Sequence, residues 1–350
     1  RARYMGEKTN VAGNRHMIDF TDFFSLNDLI HVPGEERDAA REALLHDAGW
    51  MSATLKPLAG DASARSYQRL AQNGETAVLM DAPPPQEDVR PFVRMAQWLR
   101  QHGFSAPELY AVDDTAGFIL LEDLGDDLYS SVLSSGADEG LLYDAAVDVL
   151  ADYQRAAPPA GFALYDDEFL LLEVSYFLDW YVAEHLNQTV SDDQRADFMG
   201  LWRDLLTDMT PGPAVLVLRD YHADNLIWLP DRNGLAKVGL LDFQGALIGS
   251  VAYDLASLAR DVRRDVSDDM VERMIKRYLS VTTLGGFDEE SFRTAFAIAA
   301  VQRNTKIAGL FVRLALRDGK RQYLDYLPRL IAMLQKDLAH PRLAALRSMV

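Results

Sequence analysis

Within residues 218–245 the chain sets three oxygen-bearing side chains in ordered surroundings: Asp220, Asn225 and Asp242. Asp220 lies in the run Leu218-Arg219-Asp220-Tyr221-His222-Ala223-Asp224-Asn225, which Asn225 closes, and Asp242 opens Asp242-Phe243-Gln244-Gly245. Two short extended runs, Leu226 to Leu229 and Lys237 to Leu241, flank the turn Pro230-Asp231-Arg232-Asn233-Gly234. A hairpin is expected there, and it brings Asn225 and Asp242 to one end. Phosphoryl transfer asks for such a set, because little covalent work falls to the protein. One carboxylate orients and deprotonates the attacking hydroxyl, and hard oxygen ligands hold magnesium against the phosphates. Asp220 fits the first role, Asn225 and Asp242 the second. Singly, Asp220 or Asn225 reads first as a turn or capping residue; the three together, after a sheet region, point to chemistry.

The elements that must position these residues change character along the chain. A helix is predicted over Glu35 to Gly49, then short strands at Thr54 to Leu58, Arg65 to Leu70 and Thr76 to Met80, with an Asn73-Gly74 hairpin turn. After Pro83-Pro84-Pro85 come a helix over Asp88 to His102 and strands at Glu108 to Val112 and Phe118 to Leu121. Beyond Gly125 long helical segments dominate: Gly140 to Arg155, Phe169 to Leu186, Asp192 to Met209, Asp268 to Ser280 and Glu289 to Leu316. The expected fold class is α+β, a small antiparallel-sheet lobe over residues 17–124 and a larger helical lobe over 125–350.

Composition narrows the chemistry. The 350 residues include no Cys, which removes thiolate nucleophiles, disulfides and Cys-ligated metals. The net charge of -18 argues against nucleic acid as the main partner. That charge is uneven: from Arg293 onward eleven Lys and Arg face three Asp. The acidic remainder reads as a cleft for a cationic substrate or as a solubilising surface. No run approaches the roughly 18 apolar residues of a membrane span, and no signal-peptide core opens the chain. A cytoplasmic protein is expected. Residues 1–16 read as an expression remnant, with the native start near Met17.

The Asp-x-x-x-x-Asn loop and Asp-Phe-x-Gly ending resemble those of the aminoglycoside phosphotransferase and choline kinase superfamily, with its two-lobe protein-kinase-like fold. Within it, Gly60-Asp61-Ala62-Ser63-Ala64-Arg65, Ala77-Val78-Leu79-Met80-Asp81-Ala82-Pro83-Pro84, the Asp220 loop and Ala252-Tyr253-Asp254-Leu255 resemble the bacterial anomeric kinases of N-acetylmuramate and N-acetylglucosamine. The resemblance implies ATP and Mg2+, a small-molecule amino sugar as acceptor, and a role in cell-wall recycling. It also implies a hinge at Glu122, Asp123 and Leu124 whose backbone pairs with adenine. Two positions depart from the wider pattern. Leu218 stands where a His often precedes the catalytic loop, and Met80 where a lysine would reach the phosphates. Arg65 is the candidate replacement cation and Arg69 the second, a surface role being the other reading of Arg65. Gly60, Ser63 and Ala64 are small enough to let backbone N–H groups approach phosphate.

Substrate-side candidates are Glu173, Tyr181, Arg219, His222, Gln244 and Arg303. Glu173 lies beside an aromatic stripe of Phe177, Trp180 and Tyr181, which suits a sugar ring or a core. Gln302, Arg303, Asn304 and Lys306 interrupt an apolar helix; Arg303 could meet a muramyl carboxylate, and Lys306 is expected at the surface. Asp254 reads as an early helix residue or a brace for the Asp220 loop. His222 and Asp224 lack a third ligand at zinc spacing. Two alternatives stay open: the same fold acting on an aminoglycoside or choline-like cation, and a pseudokinase without turnover.

Overall fold

The computed structural model describes residues 34–58 and 64–349, so the expectations for residues 1–16, Gly60 and Ser63 fall outside the described residues. Helix α1 (Gly34–Asp47) leads into β1 (Thr54–Pro57), β2 (Ser66–Gln72) and β3 (Glu75–Asp81), then α2 (Arg90–Gln101), β4 (Leu109–Asp113) and β5 (Phe118–Glu122). The five strands form one antiparallel sheet in the order β1-β2-β3-β5-β4. Asn73 and Gly74 both take positive φ, 54° and 84°, as a two-residue turn matched to strand twist demands. Alternation then sorts the two faces of the sheet. Leu70, Ala77, Leu79, Phe118 and Leu120 bury against Leu44 and Leu45 of α1. Met80, Ile119 and Leu121 join the core that holds Phe92, Met95 and Leu99 of α2.

The chain leaves β5 at Glu122 and continues as α3 (Tyr129–Ser134), α4 (Glu139–Tyr153), α5 (Asp167–Tyr176), a π-helical segment (Phe177–His185) and α6 (Asp192–Leu206). Four three-residue strands follow: β6 (Val215–Val217), β7 (Leu226–Trp228), β8 (Val238–Leu240) and β9 (Leu247–Gly249). Helices α7 (Tyr253–Ala259), α8 (Asp268–Val281), α9 (Glu289–Leu316), α10 (Leu327–Asp337) and α11 (Ala344–Arg347) complete the lobe. Side-chain caps start several of these helices, Asp138, Asp166, Ser191, Ser267 and Asp288 each accepting a backbone N–H of the first turn. Each such cap contributes about 1 kcal/mol.

Three features differ from the sequence expectations. The helix expected from Phe169 to Leu186 converts at Phe177 to a π-helical register, with Leu186 N–H donating to Tyr181 five residues back at 3.0 Å. Strands β6 and β9 pair with each other, although neither is long enough to show a period. Helices α10 and α11 extend the lobe beyond Leu316.

Helix α9 is the axis of the helical lobe. Its residues are buried along almost the whole length, as expected of a helix enclosed on every side. It packs so tightly that a Cβ on Gly309 would lie 2.1 Å from the Tyr176 carbonyl oxygen, where α5 gives way to the π-helical segment. Several basic residues of the last segment pair with acids of earlier helices: Arg293 with Glu272, Lys336 with Asp268, Arg342 with Asp204 and Asp208. No helix among the described residues is long and apolar enough to cross a membrane.

Candidate active site

Strands β7 and β8 pair in the register Leu226 with Leu240, and Leu241 N–H donates to the Asn225 carbonyl at 2.9 Å. Asn225 and Asp242 therefore emerge side by side from one end of the hairpin. Asn225 donates its Nδ2 to the Asp220 carbonyl oxygen at 2.9 Å, which ties the loop to the hairpin and leaves the amide oxygen on the opposite side. Asp242 adopts φ 53° and accepts from Gln244 Nε2 at 2.6 Å. Phe243, the next residue, is fully buried and stacks on Phe92 of α2 at 4.8 Å, which fixes the Asp242 turn beneath the sheet lobe. Asn225 and Asp242 present two hard oxygen ligands of the kind magnesium takes. Among the described residues no group of three or more His, Asp or Glu gathers to hold a metal alone, so a cation here would complete its shell from phosphate and water oxygens.

The Asp220 loop is held from below by Asp254, in the first turn of α7. Its carboxylate accepts Leu218 N–H at 2.6 Å, Arg219 N–H at 2.9 Å and Tyr153 OH at 2.6 Å. This restrains Arg219 at φ 71°, a left-handed conformation that costs a non-glycine residue about 1–3 kcal/mol. Burial raises the Asp254 carboxyl to about 6 against the pull of those three donors. Asp254 is thus the expected brace, and Leu218 contributes through its N–H instead of the missing His ring.

Asp220 keeps 45% of its side-chain surface open. Burial opposes its charge, but Lys306, Arg219 and Arg303 outweigh that opposition and bring the carboxyl to about 2. It is ionised at neutral pH, as a proton acceptor must be.

Several substrate candidates take other places. Glu173 is fully buried and accepts from Tyr165 OH, Arg219 Nη2 at 2.7 Å, Gln302 Nε2 at 3.1 Å and Lys306 Nζ at 3.4 Å. Desolvation works against its charge, and these cations and donors hold its carboxyl below the ordinary range. Glu173 is a hub behind the loop and not a sugar contact. Arg219 turns inward to that hub, its guanidinium 5.3 Å from the rings of Tyr165 and Phe169. Lys306, expected at the surface, is buried between Glu173 and Tyr253 OH, 3.3 Å away, because only an anion at the core makes its burial tolerable. His222 is buried beside Asn225 and Arg263; burial first, then Arg263, lowers its pKa to about 3, so it stays neutral. Gln244 braces Asp242. Tyr181 stacks between Phe177 and His185, centroids 5.0 and 5.4 Å apart, in a groove shared with Leu334 of α10 and Leu338 at its C-terminal end. Arg303 does face the cleft, its Nη2 3.9 Å from Asp220 Oδ1.

On the sheet side Met80 is wholly buried core. Arg65 reaches Glu87 at 3.4 Å and Asp242 at 3.6 Å, spanning the two lobes. Glu87, in sequence one acid among many with no motif around it, also accepts the Ala64 N–H at 3.1 Å. Arg69 is engaged elsewhere, in a short ion pair with Asp123 at 2.7 Å and another with Asp126 at 2.8 Å. The side chains at the hinge are not solvent-facing: Glu122 takes Arg232 and Arg100, and pins the sheet lobe to the β7–β8 turn. Its N–H donates to the Glu108 carbonyl at 2.8 Å, so that N–H is taken up within the sheet lobe. Asp123 and Leu124 lie beyond the sheet ladder, which ends at the pair Ala77 and Glu122.

The sequence pattern of the Phosphotransferase enzyme family matches residues 54–293. An N-acetylmuramate/N-acetylglucosamine kinase of Caulobacter vibrioides is 35% identical over 351 residues, 89% of this chain and 95% of that protein. One from Pseudomonas aeruginosa is 37% identical over 318 residues, 88% of this chain and 92% of its own length. Among solved structures, a choline/ethanolamine kinase family protein from Mesorhizobium loti superposes with a TM-score of 0.61 at 16% identity, covering 89% of this chain and 99% of that one. The shared two-lobe fold is protein-kinase-like, as expected.

Proposed function

The chain belongs to the phosphotransferase enzyme family, and from that membership we propose that it transfers the γ-phosphoryl group of ATP to the anomeric hydroxyl of N-acetylmuramate or N-acetylglucosamine. The observation that carries this reading is the convergence of Asp220, Asn225 and Asp242 at one end of the β7–β8 hairpin, in a chain similar along most of its length to kinases named for those sugars. The similarity to the choline/ethanolamine kinase family protein, at 16% identity, is one of fold alone, so it lends no support to a cationic acceptor.

In this reading Asp220 orients the anomeric hydroxyl and accepts its proton. A carboxylate near 2 is a weak base, but an anomeric hydroxyl is more acidic than an ordinary alcohol, and the proton moves only as the new bond forms. Asn225 Oδ1 and Asp242 would hold Mg2+, which when bound neutralises charge on the phosphate oxygens. Arg65, steadied by Glu87, takes the place of the usual lysine on the triphosphate. The lobe boundary falls at Leu124, where the backbone of Asp123 and Leu124 faces the adenine. Phosphorus NMR with MgATP and a panel of N-acetylmuramate, N-acetylglucosamine, choline and an aminoglycoside tests the proposal. Sugar 1-phosphate signals are expected; phosphorylation of choline or the aminoglycoside alone, or no turnover with any acceptor, would overturn it.

A further inference from the structure

Arg303 lies in the middle of α9 with 2% of its side chain exposed, and its Nη2 borders the open carboxylate of Asp220 at 3.9 Å. That separation is too long for a hydrogen bond. Its Nε and Nη1 have no partner among the described residues. An interior guanidinium is normally kept by a close carboxylate, because leaving one unpaired is strongly destabilising. Its neighbours on the helix show the contrast: Gln302 and Lys306 both bond to Glu173. Arg303 is therefore a buried cation at the edge of the cleft whose charge is felt by Asp220 and by the buried Asp261, but whose Nε and Nη1 donors are left for a group the folded chain does not itself supply.

Its distance from Asp220 limits what it can meet. The reacting hydroxyl must sit about 3 Å from Asp220, so the groups attached to the reacting oxygen are the first that come within reach of Arg303. The lactyl carboxylate of a muramate hangs from C3, two ring carbons beyond the anomeric carbon. The oxygens of the phosphoryl group in transfer are directly adjacent. Resting on the kinase reading above, we propose that Arg303 is a catalytic residue that donates to the γ-phosphoryl group during transfer, and so serves both sugars alike.

In the step itself the anomeric oxygen forms a bond to the γ-phosphorus, and its proton passes to the Asp220 carboxylate. The bond from phosphorus to the β,γ-bridging oxygen breaks, and its electron pair leaves with ADP. Negative charge spreads over the three non-bridging oxygens, which a planar fork of donors held in place by the fold can meet.

Arg303→Gln and Arg303→Lys, assayed with both sugars and checked by thermal unfolding, test this. The Gln variant should lose about 10²- to 10³-fold in kcat with N-acetylmuramate and N-acetylglucosamine equally, with little change in either sugar's KM. The Lys variant, which keeps charge and bulk, should fall between it and the parent, and it carries the test if the Gln variant does not fold. Binding of aluminium fluoride in the presence of MgADP should weaken at least tenfold while MgADP alone binds as before. A KM increase confined to N-acetylmuramate would place Arg303 on the carboxylate and overturn the proposal, as would parental kcat in the Gln variant or, should that variant not fold, in the Lys variant. Should the parent phosphorylate neither sugar, the acceptor reading fails, while the fluoride arm still reports on Arg303.

Discussion

Arg65 and Asp242 face each other across the cleft, guanidinium Nη1 3.6 Å from carboxylate Oδ1, one residue from each lobe. With Met80 buried in the core, this arginine of the sheet lobe pairs with Asp242, the carboxylate proposed to hold magnesium. Arg65→Met should raise the KM for ATP about 10- to 100-fold, in line with loss of a charge-assisted hydrogen bond of about 1.5–3 kcal/mol. Glu87→Gln should produce a smaller rise by releasing Arg65. Unchanged ATP affinity in both variants, measured by calorimetry, would remove Arg65 from the nucleotide site.

Asp220→Asn keeps the shape of the side chain and abolishes its basicity. Turnover should fall roughly 10²- to 10⁴-fold, while MgATP binding persists because Asn225 and Asp242 are untouched. Near-parental turnover in this variant would show that another group takes the proton.

Asp254 should make stability depend on pH in a definite direction. Its carboxyl is raised from 3.8 to about 6 in the folded chain, so the folded chain binds the proton more tightly than the unfolded one. The stability this group contributes is full below about pH 4 and is lost as pH rises through 6, a change on the order of 3 kcal/mol. Relative to Asp254→Asn, the parent should therefore weaken across that window. Denaturant unfolding at pH 4, 5, 6 and 7 reads it, and a constant difference between the two proteins would contradict the assignment.

Two glycines in helices should respond oppositely to alanine. At Gly309 the added Cβ would meet the Tyr176 carbonyl oxygen at 2.1 Å, so Gly309→Ala must push α9 off α5. About 1–3 kcal/mol or more should be lost, and turnover with it, since Arg303 and Lys306 ride on the same helix. A methyl group added at Gly200 in α6 would meet nothing within 4 Å, and Gly200→Ala should gain about 0.8–1 kcal/mol. Equal unfolding midpoints for the two variants would refute the packing account.

Much of the candidate site is legible in the sequence because the residues proposed to do the chemistry are close along the chain. Asp220, Asn225 and Asp242 are joined by a tight hairpin, and local turn signals suffice to predict that they meet. The sheet lobe is legible for a similar reason: Asn73-Gly74 and strict alternation define β2 and β3. The substrate side is not. Glu173, Tyr181 and Arg303 look alike on paper as polar or aromatic residues on long helices, and helical periodicity states which residues share a face without stating what that face meets. The folded chain puts Glu173 among four donors, Tyr181 in a groove against α10, and only Arg303 at the cleft.

By itself the sequence determined the two-lobe α+β architecture, the chemistry of phosphoryl transfer and the exclusion of cysteine-based mechanisms, since each rests on local pattern or residue type. Tertiary structure alone decided which cations are available to the reaction. Arg65, Arg69, Arg219, Arg303 and Lys306 carry the same charge in the sequence, but Arg69 is engaged by Asp123, and Arg219 and Lys306 by Glu173, while Arg65, paired with Glu87 and Asp242, and Arg303, beside Asp220, border the cleft. Which role a cation takes depends on the anion that lies within a few ångströms of it, and for the pairs that count here that anion comes from a distant part of the chain, brought near only by packing.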